Sequence, residues 1–184
     1  SIPHIPIKKL KNPSFMVFGI LKSIINHEQF DVVHAWNIQS AFVMKYVNSN
    51  KKILSVHGMY SEQIEVLHSK SIGNLASKAE FQAFKISNKL TTDSKTIKKN
   101  YKAKLDANFI YLPAPLDSKK FEKIDNIEKK KNQIIYIGRD SYEKGIDILK
   151  NFESKINGEI IYCTDSPWEK TMSILKASKL LIVP

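Results

Sequence analysis

The sequence predicts an α/β fold with parallel strands, divided between two domains. Short apolar runs recur along the 184 residues, and helix-like stretches separate them, which is the alternation typical of parallel α/β sheets. Most of these runs are rich in Ile, Val and Leu, as expected of strands buried on both faces. Pro113 and Pro115 interrupt the alternation, and a lysine-rich polar stretch follows them as far as Asn132. Because proline disfavours both helix interiors and central strands, we place the division there.

The apolar runs predict strands at 32–35, 52–56, 89–92, 108–112, 133–138, 159–163 and 180–183. Helices are predicted between them at 13–27, 38–48, 73–87, 94–102, 145–157 and 167–177. Apolar spacing supports the helices: positions at helical intervals are expected to share one face, namely Leu75, Ala79, Gln82/Ala83 and Ile86. Ser94 stands where an N-cap is expected.

The resulting domains are an N-terminal domain at 1–117, a linker at 118–132 and a C-terminal domain at 133–184. The chain begins with Ser1 rather than Met and stops at Pro184, directly after a predicted strand. We therefore expect a piece of a longer protein in which both domains are incomplete.

Charge and composition narrow the functional classes. Lys and Arg number 29 against 18 Asp and Glu, a net charge of +11 that favours phosphorylated small molecules, anionic lipid or nucleic acid as partners. Arg139 is the only arginine, which argues against base-edge readout of nucleic acid. The single cysteine, Cys163, excludes a disulfide framework and a Cys-rich zinc site. We expect a reducing, cytoplasmic setting from this cysteine usage. No apolar run approaches the roughly 20 residues of a membrane span.

The clearest local motif follows the strand predicted at 133–138. Gly138 ends the strand, Arg139 and Lys144 lie in the loop, and Gly145 opens the next helix. Loops at the carboxyl ends of parallel strands are where open α/β sheets bind ligands, and Arg can grip phosphate oxygens with two hydrogen bonds. The loop suits a diphosphate. An equally weighted alternative is a surface loop in which Arg139 and Lys144 pair with Asp140 and Glu143.

Two histidines in the first half are placed in a similar way. His34 lies at the end of one predicted strand, and His57, followed by Gly58, lies just beyond the next. If both strands are parallel in one sheet, the imidazoles share the ligand-binding edge. A lone histidine at such a place more often has a structural role, but Gly58 permits a close backbone approach.

An ordered series of motifs covers nearly the whole chain: DVVHAWN at 31–37, ILSVHG at 53–58, NKLTTDS at 88–94, IYLP at 110–113, IGRDSYEKGIDIL at 137–149 and the segment 177–184. In this series the chain resembles the retaining glycosyltransferases of the GT-B fold, often called group one, which includes glycogen synthases and many lipid and polysaccharide mannosyl- and glucosyltransferases. The resemblance implies two Rossmann-like domains, a nucleoside-diphosphate sugar as donor, a glycan or lipid-linked acceptor, and no metal or other cofactor.

The resemblance also implies roles for individual residues. Gly138, Arg139 and Lys144 would bind the donor diphosphate, and His57 would be the catalytic residue facing the transferred sugar. The residues that would shape the cleft or the acceptor side are His34, Trp36, Asn37, Gly58 and Ser94.

The sequence departs from the family pattern in one turn and lacks two of the family's motifs. The usual Pro-Asn-Gly-Val-Asp turn is rebuilt as Pro113-Ala114-Pro115-Leu116-Asp117. The family's early glycine-rich loop would precede Ser1 and its paired-glutamate motif would follow Pro184, so these 184 residues alone are expected to be inactive or badly impaired. The alternatives are a nucleotide-sugar epimerase of the same architecture and, less favoured, a basic nucleic-acid-binding module.

The helix predicted at 13–27 raises the question of membrane contact. Its apolar residues are flanked by lysines, namely Lys8, Lys9, Lys11 and Lys22. Such a helix could rest peripherally on an anionic membrane. An ordinary helix packed on the sheet, with solvated lysines, is favoured about two to one.

Overall fold

The computed structural model describes residues 2–7, 10–124 and 127–184. The chain forms two compact units, Ser1–Ala114 and Pro115–Pro184. Each unit contains a sheet whose strand pairs are all parallel. The predicted α/β class with parallel strands is therefore confirmed.

The first unit has five helices among its described residues: α1 (Lys11–Ile25), α2 (Ile38–Met44), α3 (Tyr60–Leu67), α4 (Lys70–Ile86) and α5 (Lys95–Leu105). Its strands are β1 (Phe30–Ala35), β2 (Ser49–Ser55), β3 (Lys89–Thr92) and β4 (Phe109–Tyr111). They form one sheet in the order β1-β2-β3-β4. Because all pairs are parallel, the carboxyl ends of the four strands lie at one edge.

The core of the first unit lies where α2, α4 and α5 contact the sheet. Leu54 of β2 and Ala41 of α2 are fully buried. Three aromatic rings fill the space near β4: Tyr101 stacks on Phe109 at 5.2 Å between centroids, and Phe84 meets both rings edge-on. Offset and edge-to-face arrangements of this kind are the favoured geometries for aromatic pairs.

The second unit contains α6 (Ser118–Glu122), α7 (Ile146–Phe152) and α8 (Trp168–Ala177) among its described residues. Its strands are β5 (Gln133–Ile137), β6 (Glu159–Cys163) and β7 (Leu180–Ile182), in the order β6-β5-β7. Strand β5 is thus central, and the chain passes across it between β6 and β7. The loop after β5 therefore lies beside the point at which the strand order reverses, where open α/β sheets form ligand crevices.

Each of the seven predicted strands is present within three residues of its expected bounds, and two helices, α3 and α6, were not predicted. Helix α6 lies in the stretch expected to be a linker. The Phe121 ring meets the Trp168 ring of α8 at 5.2 Å, and the Lys120 ammonium lies 4.2 Å from the centre of the Trp168 ring. These contacts attach the polar stretch to the second unit.

The prediction for the buried face of α4 is wrong at Leu75, which is 68% exposed. The helix instead buries Gly73, Ala76, Glu80, Ala83 and Phe84. Small residues face inward because α4 packs closely on α3: a Cβ at Gly73 would lie 2.7 Å from that of Glu65. The same predicted face is correct at Ala83, which is fully buried, and at Ile86, which packs against the core.

Helix α1 contacts α2, where Gly19 packs against Val43. Its apolar side chains Phe15, Val17 and Leu21 are largely exposed. Lys11 and Lys22 are exposed as well, whereas Lys8 and Lys9 lie outside the described residues. None of the helices in the described parts of the chain is both long enough and apolar enough to cross a bilayer.

Candidate functional site

The candidate site of the first unit lies at the carboxyl edge of its sheet. Strand β1 is followed by Trp36, β2 by Val56 and His57, and β3 by Asp93. Parallel pairing places Ala35 beside Leu54, and Ser55 beside Thr91. The residues that follow three neighbouring strands therefore come together, although they are separated by up to 57 positions in the sequence.

Three aromatic side chains form the exposed surface of this site. The Trp36 ring lies 4.6 Å from the His34 ring and 5.6 Å from the His57 ring, and it is nearly parallel to the latter, with an angle of 9° between planes. Trp36 is 61% exposed. The indole contacts two imidazoles and is still mostly open to solvent, so part of its apolar surface is available to a ligand such as a sugar or a base.

His57 is oriented by a carboxylate. Its Nδ1 lies 2.9 Å from Oδ2 of Asp93, and both side chains are partly exposed. A carboxylate accepts a hydrogen bond from Nδ1–H, and this favours the tautomer in which Nε2 carries the lone pair. His57 is thereby set up to present Nε2 as a hydrogen-bond acceptor or base.

His34 is held by a different set of contacts. Its Nε2 lies 2.7 Å from the Ser55 hydroxyl, which in turn lies 2.6 Å from the Thr91 hydroxyl. Burial, and to a lesser degree the neighbouring His57, lowers the pKa of His34 below its usual 6.5. His34 is therefore neutral at pH 7, and its Nε2 is committed to the sheet rather than to a ligand.

The lowered pKa of His34 predicts a pH-dependent stability. The unfolded chain binds a proton at His34 more readily than the folded chain does. The contribution of the neutral His34 side chain to the free energy of unfolding is therefore complete above pH 6.5. This contribution is lost as the pH falls through the lowered folded pKa. Urea unfolding of wild type and His34→Gln from pH 7.5 to 5 is expected to show a smaller acid loss in the variant. Parallel curves would contradict this prediction.

A cavity of about 180 Å³ lies beside His57. Its walls include Trp36, His57, Gly58, Tyr60 and Gln63. The Gln63 amide packs against Gly58: a Cβ at Gly58 would lie 2.3 Å from Nε2 of Gln63, so a larger residue there would displace the Gln63 side chain. Helix α3, which the sequence did not predict, supplies Tyr60 and Gln63 and so completes the cavity next to the histidine.

A larger cavity, of about 440 Å³, lies between α1, α2 and the end of β1. The polar residues that line it are His34, Asn37, Gln39 and Ser40. The rest of the wall is mainly apolar, with Phe15, Met16, Val33 and Val43 among its side chains. This cavity has the mixed character expected of a site for a ligand with one polar and one apolar end.

Two of the residues predicted to shape the cleft serve as helix caps. The Asn37 Oδ1 accepts a hydrogen bond from the Ser40 N–H at 2.8 Å, which completes a capping box at the start of α2. The Ser94 hydroxyl accepts from the Ile97 N–H at 3.3 Å at the start of α5, as the N-cap prediction required. Both residues border the site, and both owe their position to capping.

The predicted phosphate loop of the second unit follows β5. Gly145 has a φ of +66°, a left-handed conformation that favours glycine, and it leads into α7. The Arg139 carbonyl accepts a hydrogen bond from the Tyr136 hydroxyl at 3.0 Å. A Cβ at Gly138 would lie 2.7 Å from that hydroxyl, so glycine is what allows this bond to form.

The two cations of the loop differ in their partners. Arg139 Nη2 lies 3.0 Å from Oε1 of Glu143, and the Arg139 side chain is 73% exposed. Asp140 pairs instead with Lys150 of α7, at 3.2 Å. Lys144 has no carboxylate within ion-pair distance in the described chain. The alternative of a self-paired loop is therefore realised for Arg139 but not for Lys144.

The Arg139–Glu143 pair is an exposed contact that leaves the guanidinium accessible. The pKa of Glu143 is lowered first by a hydrogen bond from its own backbone N–H, and Arg139 contributes less. Exposed ion pairs are weak because water screens them, whereas a phosphate can accept two hydrogen bonds from one guanidinium. Arg139 can therefore exchange Glu143 for a phosphorylated ligand with little loss of free energy.

Several residues around the first-unit site were missed from the sequence. Asp93 could have been found, because it follows β3 just as His57 follows β2. Tyr60 and Gln63 lie on a helix with no clear apolar period. Among the described residues, no three His, Cys, Asp or Glu side chains converge on a position that could hold a metal ion.

Comparison with known proteins adds no assignment: no protein-family model matches the chain, and no curated protein sequence matches it. The function is therefore argued from the two sites themselves.

Proposed function

We propose that the protein is a glycosyltransferase of the GT-B type that transfers a sugar, with retention at the anomeric carbon, from a nucleoside-diphosphate donor to a glycan or lipid-linked acceptor. One observation carries the proposal. The aromatic–imidazole cluster at Trp36 and His57 and the cationic loop at Arg139 and Lys144 both follow the carboxyl ends of parallel strands. These are the positions at which α/β sheets bind nucleotide ligands.

The loop after β5 supplies the charge that the donor requires. A departing nucleoside diphosphate accumulates negative charge on its phosphate oxygens, and a positioned guanidinium and ammonium stabilise that charge. Arg139 and Lys144 provide both groups, and Gly138 allows the backbone of the loop to be held by Tyr136. In this proposal the second unit binds the donor diphosphate.

The first unit supplies the residues that contact the sugar. Trp36 offers a flat exposed ring, and His57 offers Nε2, since its Nδ1 is bound to Asp93. Sugar hydroxyls are hydrogen-bond donors and acceptors, and the ring faces that carry C–H bonds stack on aromatic rings. In this proposal His57 Nε2 accepts a hydrogen bond from a hydroxyl of the transferred sugar.

The larger cavity and α1 are the features that bear on the acceptor class. The cavity has His34 and Asn37 on its polar side and apolar side chains elsewhere. Helix α1 beside it exposes Phe15, Val17 and Leu21 together with Lys11 and Lys22. A helix of this composition can rest on an anionic membrane surface. These features favour a lipid-linked acceptor and peripheral membrane contact.

The proposal is tested by incubating the protein that carries this sequence with a panel of nucleoside-diphosphate sugars, with and without lipid-linked glycan acceptors. We expect release of nucleoside diphosphate that depends on the acceptor, and a product with the anomeric configuration of the donor. Isomerisation of the donor sugar without acceptor would instead identify an epimerase. Absence of both binding and turnover across the panel would overturn the proposal.

A further inference from the structure

A buried carboxylate lies directly behind the His57 site. Glu80 of α4 is 0% exposed. Its Oε1 accepts hydrogen bonds from the Ser61 N–H at 3.1 Å and from the Tyr101 hydroxyl at 2.5 Å. Its Oε2 is buried and has no hydrogen-bond partner in the described chain. Burying a carboxylate with one oxygen unsatisfied is costly, so stability alone does not account for a glutamate at this position.

Tyr101 connects this carboxylate to the backbone of the site. The ring is 0% exposed and packs on Phe84 and Phe109. Its hydroxyl lies 3.2 Å from the Gly58 carbonyl oxygen and accepts a hydrogen bond from the Tyr60 N–H at 3.3 Å. Burial, followed by the hydrogen bond to Glu80, raises the pKa of Tyr101, so the hydroxyl keeps its proton and remains a donor.

The two side chains hold the loop 57–61, which includes the first residues of α3, by hydrogen bonds from the Tyr60 N–H and the Ser61 N–H. The Tyr101 hydroxyl gives its one proton to Glu80 and lies beside the Gly58 carbonyl. Because β2 ends at Ser55, this loop has no strand hydrogen bonds of its own. It carries His57 at its start and the cavity residue Tyr60 at its end. Fixing the loop therefore fixes the backbone from which the His57 imidazole reaches Asp93 and Trp36.

We propose that Glu80 and Tyr101 are positioning residues. They set the orientation of His57 by holding the backbone of the loop 57–61 from its buried side, and we call this pair the clamp. The inference rests on the proposed function only in taking His57 as the residue that meets the sugar. A reacting group displaced by about 1 Å can lose about 10²-fold in rate, so a buried clamp on this loop acts on catalysis without touching substrate.

The test compares Tyr101→Phe with a matched control, Phe109→Leu. Tyr101→Phe keeps the buried ring but removes the hydroxyl that contacts Glu80, Gly58 and Tyr60. Phe109→Leu loosens the packing around the Tyr101 ring and leaves the Tyr101 hydroxyl in place. Chemical shifts of the His57 imidazole and the Trp36 indole N–H are measured by NMR, together with kcat and KM, below the unfolding temperature of each variant.

Tyr101→Phe is expected to shift both resonances and to lower kcat by about 10- to 10²-fold with little change in KM. Phe109→Leu is expected to lower the Tm while leaving the two resonances and kcat near wild type. Glu80→Gln is measured in parallel as a second variant and is expected to shift the same resonances, because its amide alters the bond to Tyr101 without removing the side chain.

The positioning role is overturned if the His57 and Trp36 resonances of Tyr101→Phe and Glu80→Gln match those of Phe109→Leu. The NMR readout does not require activity. Wild type that transfers no sugar, while the variants still shift His57, would reject the proposed function and keep the clamp.

Discussion

Replacing both Arg139 and Lys144 with alanine is expected to weaken binding of a nucleoside diphosphate by roughly 10²- to 10³-fold. A hydrogen bond to a charged group is worth about 1.5–3 kcal/mol, and 1.4 kcal/mol corresponds to tenfold in affinity. Both cations lie in one loop, and the guanidinium has only an exposed partner to give up. Isothermal titration with a nucleoside diphosphate measures the effect without requiring turnover.

Single variants separate the two contributions. Arg139→Lys keeps the charge but loses two-point contact, so we expect a loss intermediate between wild type and Arg139→Ala. Lys155→Ala is the matched control, since it removes one positive charge from an exposed position before β6, at the opposite edge of the sheet. If Lys155→Ala weakens binding as much as Lys144→Ala, the effect reflects net charge, and the loop is not a diphosphate site.

Replacing His57 with alanine is expected to lower kcat for sugar transfer by about 10²–10³-fold, the usual cost of losing one preorganised hydrogen-bonding group at the reacting centre. Asp93→Asn is expected to have an effect of similar size while leaving the imidazole in place. An asparagine amide can donate to Nδ1, which favours the tautomer that protonates Nε2 and removes its acceptor function. Steady-state kinetics and the tautomer signature of the His57 ring nitrogens measure both effects.

The controls for this prediction lie at the far edge of the same sheet. Asp106→Asn removes an exposed carboxylate that pairs with Lys102 at the end of α5. Residue Asp106 has a φ of 51°, a backbone conformation that asparagine tolerates. His27→Ala removes an exposed histidine before β1. Both are expected to keep wild-type rates. An Asp93→Asn protein with unchanged kcat and unchanged tautomer would show that the Asp93 contact is incidental.

The strand positions were predictable because each depends on a short stretch of sequence. Short runs rich in Ile, Val and Leu favour strands, and helices between them favour parallel pairing. Because the strands are parallel, the residues just beyond their carboxyl ends lie at the same edge of the sheet. His34 and His57 were placed on this basis, and the structure brings both to within stacking distance of Trp36.

The buried face of α4 and the buried residues behind the His57 site were less predictable from the sequence. Leu75 has the stronger apolar character, yet α4 turns Glu80 inward because Tyr101 and the Ser61 N–H are there to bind it. Those partners are 21 and 19 positions away in the sequence. The α4 sequence contains no signal of such partners, since an isolated glutamate on a helix is normally solvated.

The sequence by itself determined the parallel α/β class, the seven strands and the two strand-end motifs, because these depend on local periodicity and on the residues next to a strand. Only the tertiary structure decided that Asp93 contacts His57, that Arg139 pairs with Glu143 while Lys144 has no carboxylate partner in the described chain, and that Gln63 approaches Gly58. Each of these depends on where separate segments meet. The loop 57–61 shows the difference clearly: its His and Gly were visible in the sequence, but the Glu80–Tyr101 clamp exists only in the folded chain.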